Sequence, residues 1–154
     1  MKNLKTALRD SVPRALSASL STAVTVALCG QIENGNAVAP INAISHILWD
    51  EKALAQDDFS LRYTGVALIL NASANFGWAL IFEMFFGEAR DEGKVSQPIL
   101  GAMAVAALAF GVDYHIVPPR LTPGFEHRLS RRVLWPIYAA LALGLVLPRS
   151  RRRF

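Results

Sequence analysis

Chemistry-bearing residues are scarce in this 154-residue chain: one cysteine, three histidines, and aromatics at 9%. The lone Cys29 excludes an intrachain disulfide. It sits among small residues, where packing explains it better than reactivity. A nucleophile–base pair, a glycine-rich phosphate loop and a cofactor fingerprint are all missing, so an enzyme is not the leading reading and no cofactor is predicted. The pI near 9.6 invites a nucleic-acid reading, but the interleaved basic and aromatic residues of such surfaces are absent. The most telling absence is of charge itself. No Asp, Glu, Lys or Arg falls within Ala15–Ile32, Tyr63–Phe82, Val95–Val112 or Val133–Pro148.

These four stretches carry the class assignment. A helix rises about 1.5 Å per residue, so about 20 apolar residues cross a hydrocarbon core about 30 Å thick. Lipid offers the backbone no hydrogen-bond partner, which favours helices as the spanning form. A soluble amphipathic bundle would spread its charges along each helix instead of collecting them between stretches. The sequence predicts an all-α integral membrane four-helix bundle forming a single domain over 1–154. Its expected spans are residues 15–32, 63–86, 95–113 and 133–148. The fourth is short and has Pro136 near its start, which tilt or local bilayer thinning accommodates. Lys2, Lys5, Arg9 and Arg14 precede the first stretch and Ala37-Val38-Ala39 follows it, as in a signal peptide. Pro40 follows at once and the apolar run is long for a signal core, so a retained span is expected.

With four spans both termini share one side. Lys and Arg then divide ten to six in favour of that side, placing both termini in the cytoplasm, with Arg149-Ser150-Arg151-Arg152-Arg153 as the firmest anchor. Arg120, Arg128, Arg131 and Arg132 lie in the third loop, which should face outward. The segment from Glu33 to Arg62 carries a net charge of −3, and Tyr114–Arg132 carries +3. We expect these two outer loops to dock into one cap. Within the first, Asn34-Gly35-Asn36 reads as a turn. Pro40 then opens a short interfacial or re-entrant helix over about 39–55, with Ile41, Ile44 and Leu48 on one face and Trp49 at headgroup level. Pro118-Pro119 and Thr122-Pro123-Gly124 predict an extended, turn-rich third loop.

Polar residues inside the spans recur every four positions: Ser17, Ser21, Thr25, Cys29 and Glu33 in the first, Ala67, Asn71, Asn75, Ala79 and Glu83 in the second. Small residues at this step let helices approach closely. Asn71, Asn75 and Glu83 are the polar intramembrane candidates, because mid-membrane amides need partners or water. Glu83 is expected to reach the cytoplasmic headgroups. His46, His115 and His127 all fall on the outer face near Glu33, Asp113 and Glu126. A divalent metal held by the three histidines is one reading, although no H-x-x-x-H or H-E-x-x-H spacing is present.

The segments Glu33-Asn34-Gly35, Ala39-Pro40-Ile41-Asn42-Ala43-Ile44-Ser45-His46, Leu48-Trp49, Val112-Asp113-Tyr114 and Arg120-Leu121-Thr122-Pro123-Gly124-Phe125-Glu126 resemble uncharacterised small multi-span inner-membrane proteins of proteobacteria. That resemblance implies a bacterial inner-membrane location and carries no activity. It directs attention to the outer cap, where Glu33, Asn42, His46, Asp113, Tyr114, His115 and Glu126 are the candidate residues. The leading expectation is a structural or interaction component of a membrane assembly. Its partners would be the lipid bilayer and a second copy of itself or a larger complex, with no nucleic acid. The alternatives are a small-solute or ion conduit lined by Asn71, Asn75 and Glu83, and a metal-binding membrane protein.

Overall fold

Residues 1–148 are described in the computed structural model of the protein; the arginine tail expected to anchor the cytoplasmic side lies outside them. Helix α1, Leu4–Asn34, has 31 residues and begins well before the first apolar stretch. The Asn3 side chain caps it by accepting the Lys5 N–H at 3.0 Å. Gly35 ends it at φ 66°, a left-handed conformation that glycine adopts without a Cβ clash. The charged residues Lys5 to Arg14 therefore lie within the helix and do not precede it.

The first loop does not form one helix over 39–55. It folds as α2 (Ala39–Ala43), α3 (His46–Trp49) and α4 (Glu51–Leu54). The physical reason is the buried Asn42. Its amide donates to the carbonyls of Gln56 at 3.1 Å and Asp58 at 2.9 Å, and its Oδ1 accepts from the Thr64 hydroxyl at 2.6 Å. These bonds wrap the loop around Asn42. Asp50, at φ 47°, breaks the chain between α3 and α4. The expected apolar face is split: Ile44 is buried, whereas Leu48 is 53% exposed. Trp49 sits edge-on to Tyr63, with the Arg62 guanidinium over its ring.

A π-helical turn, Leu61–Gly65, leads into α5, Val66–Asp91. Helix α6 is Ser96–His115 and α7 is Leu134–Val146. Between them the third loop carries three 3-10 turns, in keeping with its proline and glycine content. Three helices, Leu4–Asn34, Leu61–Asp91 and Ser96–His115, are long and apolar enough to cross a membrane. Helix α7, at 13 residues, spans only about 20 Å.

Helix α1 packs on α5 and α7, and α6 packs on the same two. The buried stripe of α1 includes Ser11, Ala15, Ala18, Thr22 and Val26, so Thr22 lies inside while Ser17 and Ser21 border it. Small residues set the spacing, as the four-residue rows predict. A Cβ on Gly144 would lie 2.4 Å from the Ala18 Cα, so α1 and α7 meet almost backbone to backbone. The Ser21 hydroxyl donates across this contact to the Ala140 carbonyl at 2.8 Å. The opposite side of α1 presents Leu4, Leu8, Val12, Leu16, Leu20, Val24, Leu28 and Ile32, all between 40% and 82% exposed.

Candidate functional site

Polar groups gather at three levels of the molecule. At the amino end of α1, Glu83 is fully buried and does not project outward as its position in the sequence predicts. Its carboxylate receives Lys2 Nζ on Oε2 at 2.6 Å and Arg14 Nε on Oε1. Lys2 also pairs with Asp91 at 2.8 Å and Asp10 at 3.1 Å. Burial disfavours the Lys2 charge, but Asp91, Glu83 and Asp10 more than offset it and raise its pKa. The N-terminal segment is further fixed by the Lys2 N–H donating to the Met84 carbonyl at 3.1 Å and the Met1 amino group on Glu88 at 2.7 Å. A Cβ at Gly87 would collide with both Glu83 and Lys2, so this glycine makes room for the ion pair.

Arg14 reaches further than one carboxylate. Its Nη1 donates to the carbonyls of Leu145 at 2.7 Å and Pro148 at 3.3 Å, and Arg90 Nη2 donates to Pro148 at 2.8 Å. The end of α7 leaves carbonyls without intrahelical partners, and cations at a helix C-terminus satisfy them favourably. One arginine thus links α1, α5 and α7. Lys2, Asp10, Arg14, Arg90 and Asp91 are not legible as site residues in the sequence. The one available signal is that Asp10 and Arg14 stand four apart on a helix face.

The middle level is a closed amide–hydroxyl set. Asn71 donates to the Ser19 carbonyl at 3.1 Å. Asn75 donates to Asn71 Oδ1 at 2.9 Å and to Thr22 Oγ1 at 3.3 Å, and Thr22 donates to Asn71 Oδ1 at 3.2 Å. Asn71 and Asn75 are thus brought together, but Glu83 is not with them. Ala79 and Phe82, both fully buried, lie in the roughly two helical turns between Asn75 and Glu83.

The third level is the cap, where the two oppositely charged loops meet. Arg128 pairs with Asp57 and donates to the Leu54 carbonyl at 2.6 Å, while Asn34 donates to the Arg128 carbonyl at 2.6 Å. Glu33 accepts the Ser130 hydroxyl at 2.5 Å and its N–H at 2.9 Å. Arg120 lies 3.4 Å from Asp50 in an exposed pair. Among the described residues Arg131 and Arg132 form no ion pair with the first loop, although the Arg132 charge acts on Glu33, so the close pairs of the cap rest on Arg120 and Arg128.

The histidines do not converge. His46 is buried, its Nδ1–H donates to the Ala43 carbonyl at 3.0 Å, and its ring lies 5.5 Å from that of His127. His115 packs instead against Phe110. Among the described residues no group of three or more His, Cys, Asp or Glu is placed to hold a metal ion. Gly124, at φ 93°, touches Ala43 and His46 where no side chain would fit.

Beneath the cap lies a half-open cavity of about 110 Å³. Ile44, Ile47, Leu121, Pro123 and Phe125 roof it, and Leu70, Trp78, Ile137 and Leu141 form much of its wall. Its polar lining is Thr22, Asn71, Asn75, Asp113 and Tyr138. The Tyr138 hydroxyl donates to Asp113 Oδ2 at 2.5 Å, and Tyr114 donates to Glu126 at 3.4 Å. Asp113, Tyr114 and Glu126 are thus neighbours, as their shared loop region implies, whereas no sequence signal points to Tyr138. Comparison with protein-family models, curated proteins and solved structures finds no match to this chain.

Proposed function

We propose that this chain is a four-span structural or interaction component of a bacterial inner membrane, with both termini in the cytoplasm, associating laterally with itself or a larger assembly. The observation that carries the reading is the exposed aliphatic ladder from Leu4 to Ile32 on α1, set against polar groups that bond to one another inside. Such a surface suits lipid or another helix and is poorly suited to water. Helix α7 serves as the fourth span, extended at its start by the 3-10 turn Arg131–Val133 and accommodated by thinning or tilt. The ten-to-six division of Lys and Arg supports the orientation. The likeness of the two outer loops to proteobacterial inner-membrane proteins supports the location.

The test is cross-linking in the native membrane. Single cysteines at Leu16, Leu20 and Val24, in a Cys29→Ser background, are expected to give a disulfide-linked dimer or capture a partner in mild detergent. A monomer without a copurifying protein under all these conditions overturns the interaction reading. Labelling of the two termini on opposite sides of the bilayer overturns the four-span topology.

A second reading, a small-solute or ion conduit, is favoured by the cavity that reaches Asn71 and Asn75 from beneath the cap. The packing of Ala79 and Phe82 below it counts against a continuous path. Liposome flux in the parent and in Asn71→Ala and Asn75→Leu variants decides; no parental flux ends this reading. The third, a divalent-metal site at the cap, has the adjacency of His46 and His127 in its favour. Metal analysis of purified protein decides it.

A further inference from the structure

The cavity beneath the cap holds a carboxylate that forms no ion pair among the described residues. At the other end of the protein, Glu83 is matched by Lys2 and Arg14. Asp113 has no such partner among the described residues: its hydrogen bond comes from a neutral donor, the Tyr138 hydroxyl. It stands two residues before the end of α6, where the helix dipole disfavours an anion. Glu126 adds a second negative charge nearby, held through Tyr114, and His115 is turned toward Phe110. A half-buried carboxylate lining a largely apolar cavity without a fixed counter-ion is costly and marks a site for a mobile one.

The cavity walls decide what kind of cation. An alkali or alkaline-earth ion needs six or more oxygen ligands. Here most of the lining, including Leu70, Trp78, Phe125 and Leu141, offers no side-chain oxygen. Asn71 Oδ1 is already committed to Thr22 and Asn75. Apolar and aromatic walls around one carboxylate fit an organic ammonium, whose N–H donors meet the anion while its hydrocarbon body and charge meet the rings. Engineered apolar cavities of about 150 Å³ take up benzene. A half-open space of about 110 Å³ therefore suits an amine of four or five carbons or fewer.

We infer that the cavity is a binding site for a small protonated amine, with Asp113 as its counter-ion and Trp78 and Phe125 as its apolar wall. This goes beyond the structural reading above and does not depend on lateral association.

The experiment uses the full chain in detergent at neutral pH, with n-butylammonium and the near-isosteric neutral 1-butanol as probes. Thermal unfolding and saturation-transfer NMR report binding. In the parent, n-butylammonium is expected to bind saturably and raise Tm, at least tenfold more tightly than 1-butanol. Asp113→Asn should lose at least tenfold in apparent affinity for the ammonium alone. Equal binding of the two probes by the parent overturns the proposal, whether or not the Asp113 variant folds. So does undiminished ammonium binding by Asp113→Asn. So does an absence of saturable n-butylammonium binding by the folded parent.

Discussion

Lys2 Nζ and Glu83 Oε2 lie 2.6 Å apart although 81 residues separate them in the chain, and both side chains are withdrawn from solvent. The pair joins the segment before α1 to the far half of α5. Because Arg14 shares the same carboxylate and reaches α7, Glu83 ties the amino end of α1 to the carboxyl-terminal halves of α5 and α7.

Removing that carboxylate should be costly. Glu83→Gln leaves Lys2 without its closest partner and Arg14 without its anion, both still buried. Breaking a buried pair by deleting one member costs about 3–5 kcal/mol. Unfolding in detergent should register a loss of that order. The double variant Arg14→Met, Glu83→Gln should be less damaged than the sum of its parts. Strict additivity would show that the two do not act as a unit.

Alkaline pH should loosen the same end. Lys2 has its pKa raised in the folded state, so its contribution is fully present below the ordinary lysine value of about 10.4 and is lost as pH rises through the higher folded value. Measured from pH 8 upward, the Lys2 contribution should hold to about pH 10 and fall above it. Lys2→Met should be less stable at neutral pH and show a flatter alkaline limb. An identical limb in parent and variant would remove Lys2 as its source.

At the cap, the arginines should not be equivalent. Arg128→Glu loses the Leu54 carbonyl and places a like charge beside Asp57. Hydrogen bonds to charged groups contribute about 1.5–3 kcal/mol, and an exposed ion pair adds little to this. Thermal stability should drop by about that amount. Arg131→Glu should have a much smaller effect, since its side chain forms no ion pair with the first loop. Equal effects at the two positions would indicate general charge attraction and not specific docking.

The contact between α1 and α7 tolerates no added bulk. Gly144→Val would drive a side chain into the Ala18 backbone and push Ser21 off the Ala140 carbonyl. Overpacking of this kind costs about 1–3 kcal/mol. Unfolding in detergent should fall accordingly, whereas Gly77→Ala on α5, which meets nothing within 4 Å, should be neutral or slightly stabilising. Indifference to Gly144→Val would mean that α7 does not seat closely on α1.

Much of this molecule is readable from local pattern. The charge-free stretches determine that the chain is all-helical and lipid-compatible, because desolvating a backbone without internal hydrogen bonds is prohibitive. Four-residue rows of small side chains anticipate close helix contacts, and the opposite net charges of the two loops anticipate their meeting. Asn71 and Asn75 stand out because an amide in an apolar run must find a partner. What the row could not supply was the partner itself: Thr22 belongs to the inward stripe of α1, one position from the row singled out by spacing.

Long-range geometry decided the rest. Whether Glu83 meets water, headgroups or an ammonium depends on where Lys2 and Arg14 arrive, and nothing in the order of residues expresses that. Asn42 splits the first loop into three short helices because its side chain bonds to carbonyls 14 and 16 residues away, a competition invisible to helical periodicity. Nor does spacing separate His115 from His46 and His127; a helix end and a folded loop do. Hydrophobicity acts locally along the chain and is legible in it, whereas electrostatic pairing and cavity shape depend on distances set only when the helices come together.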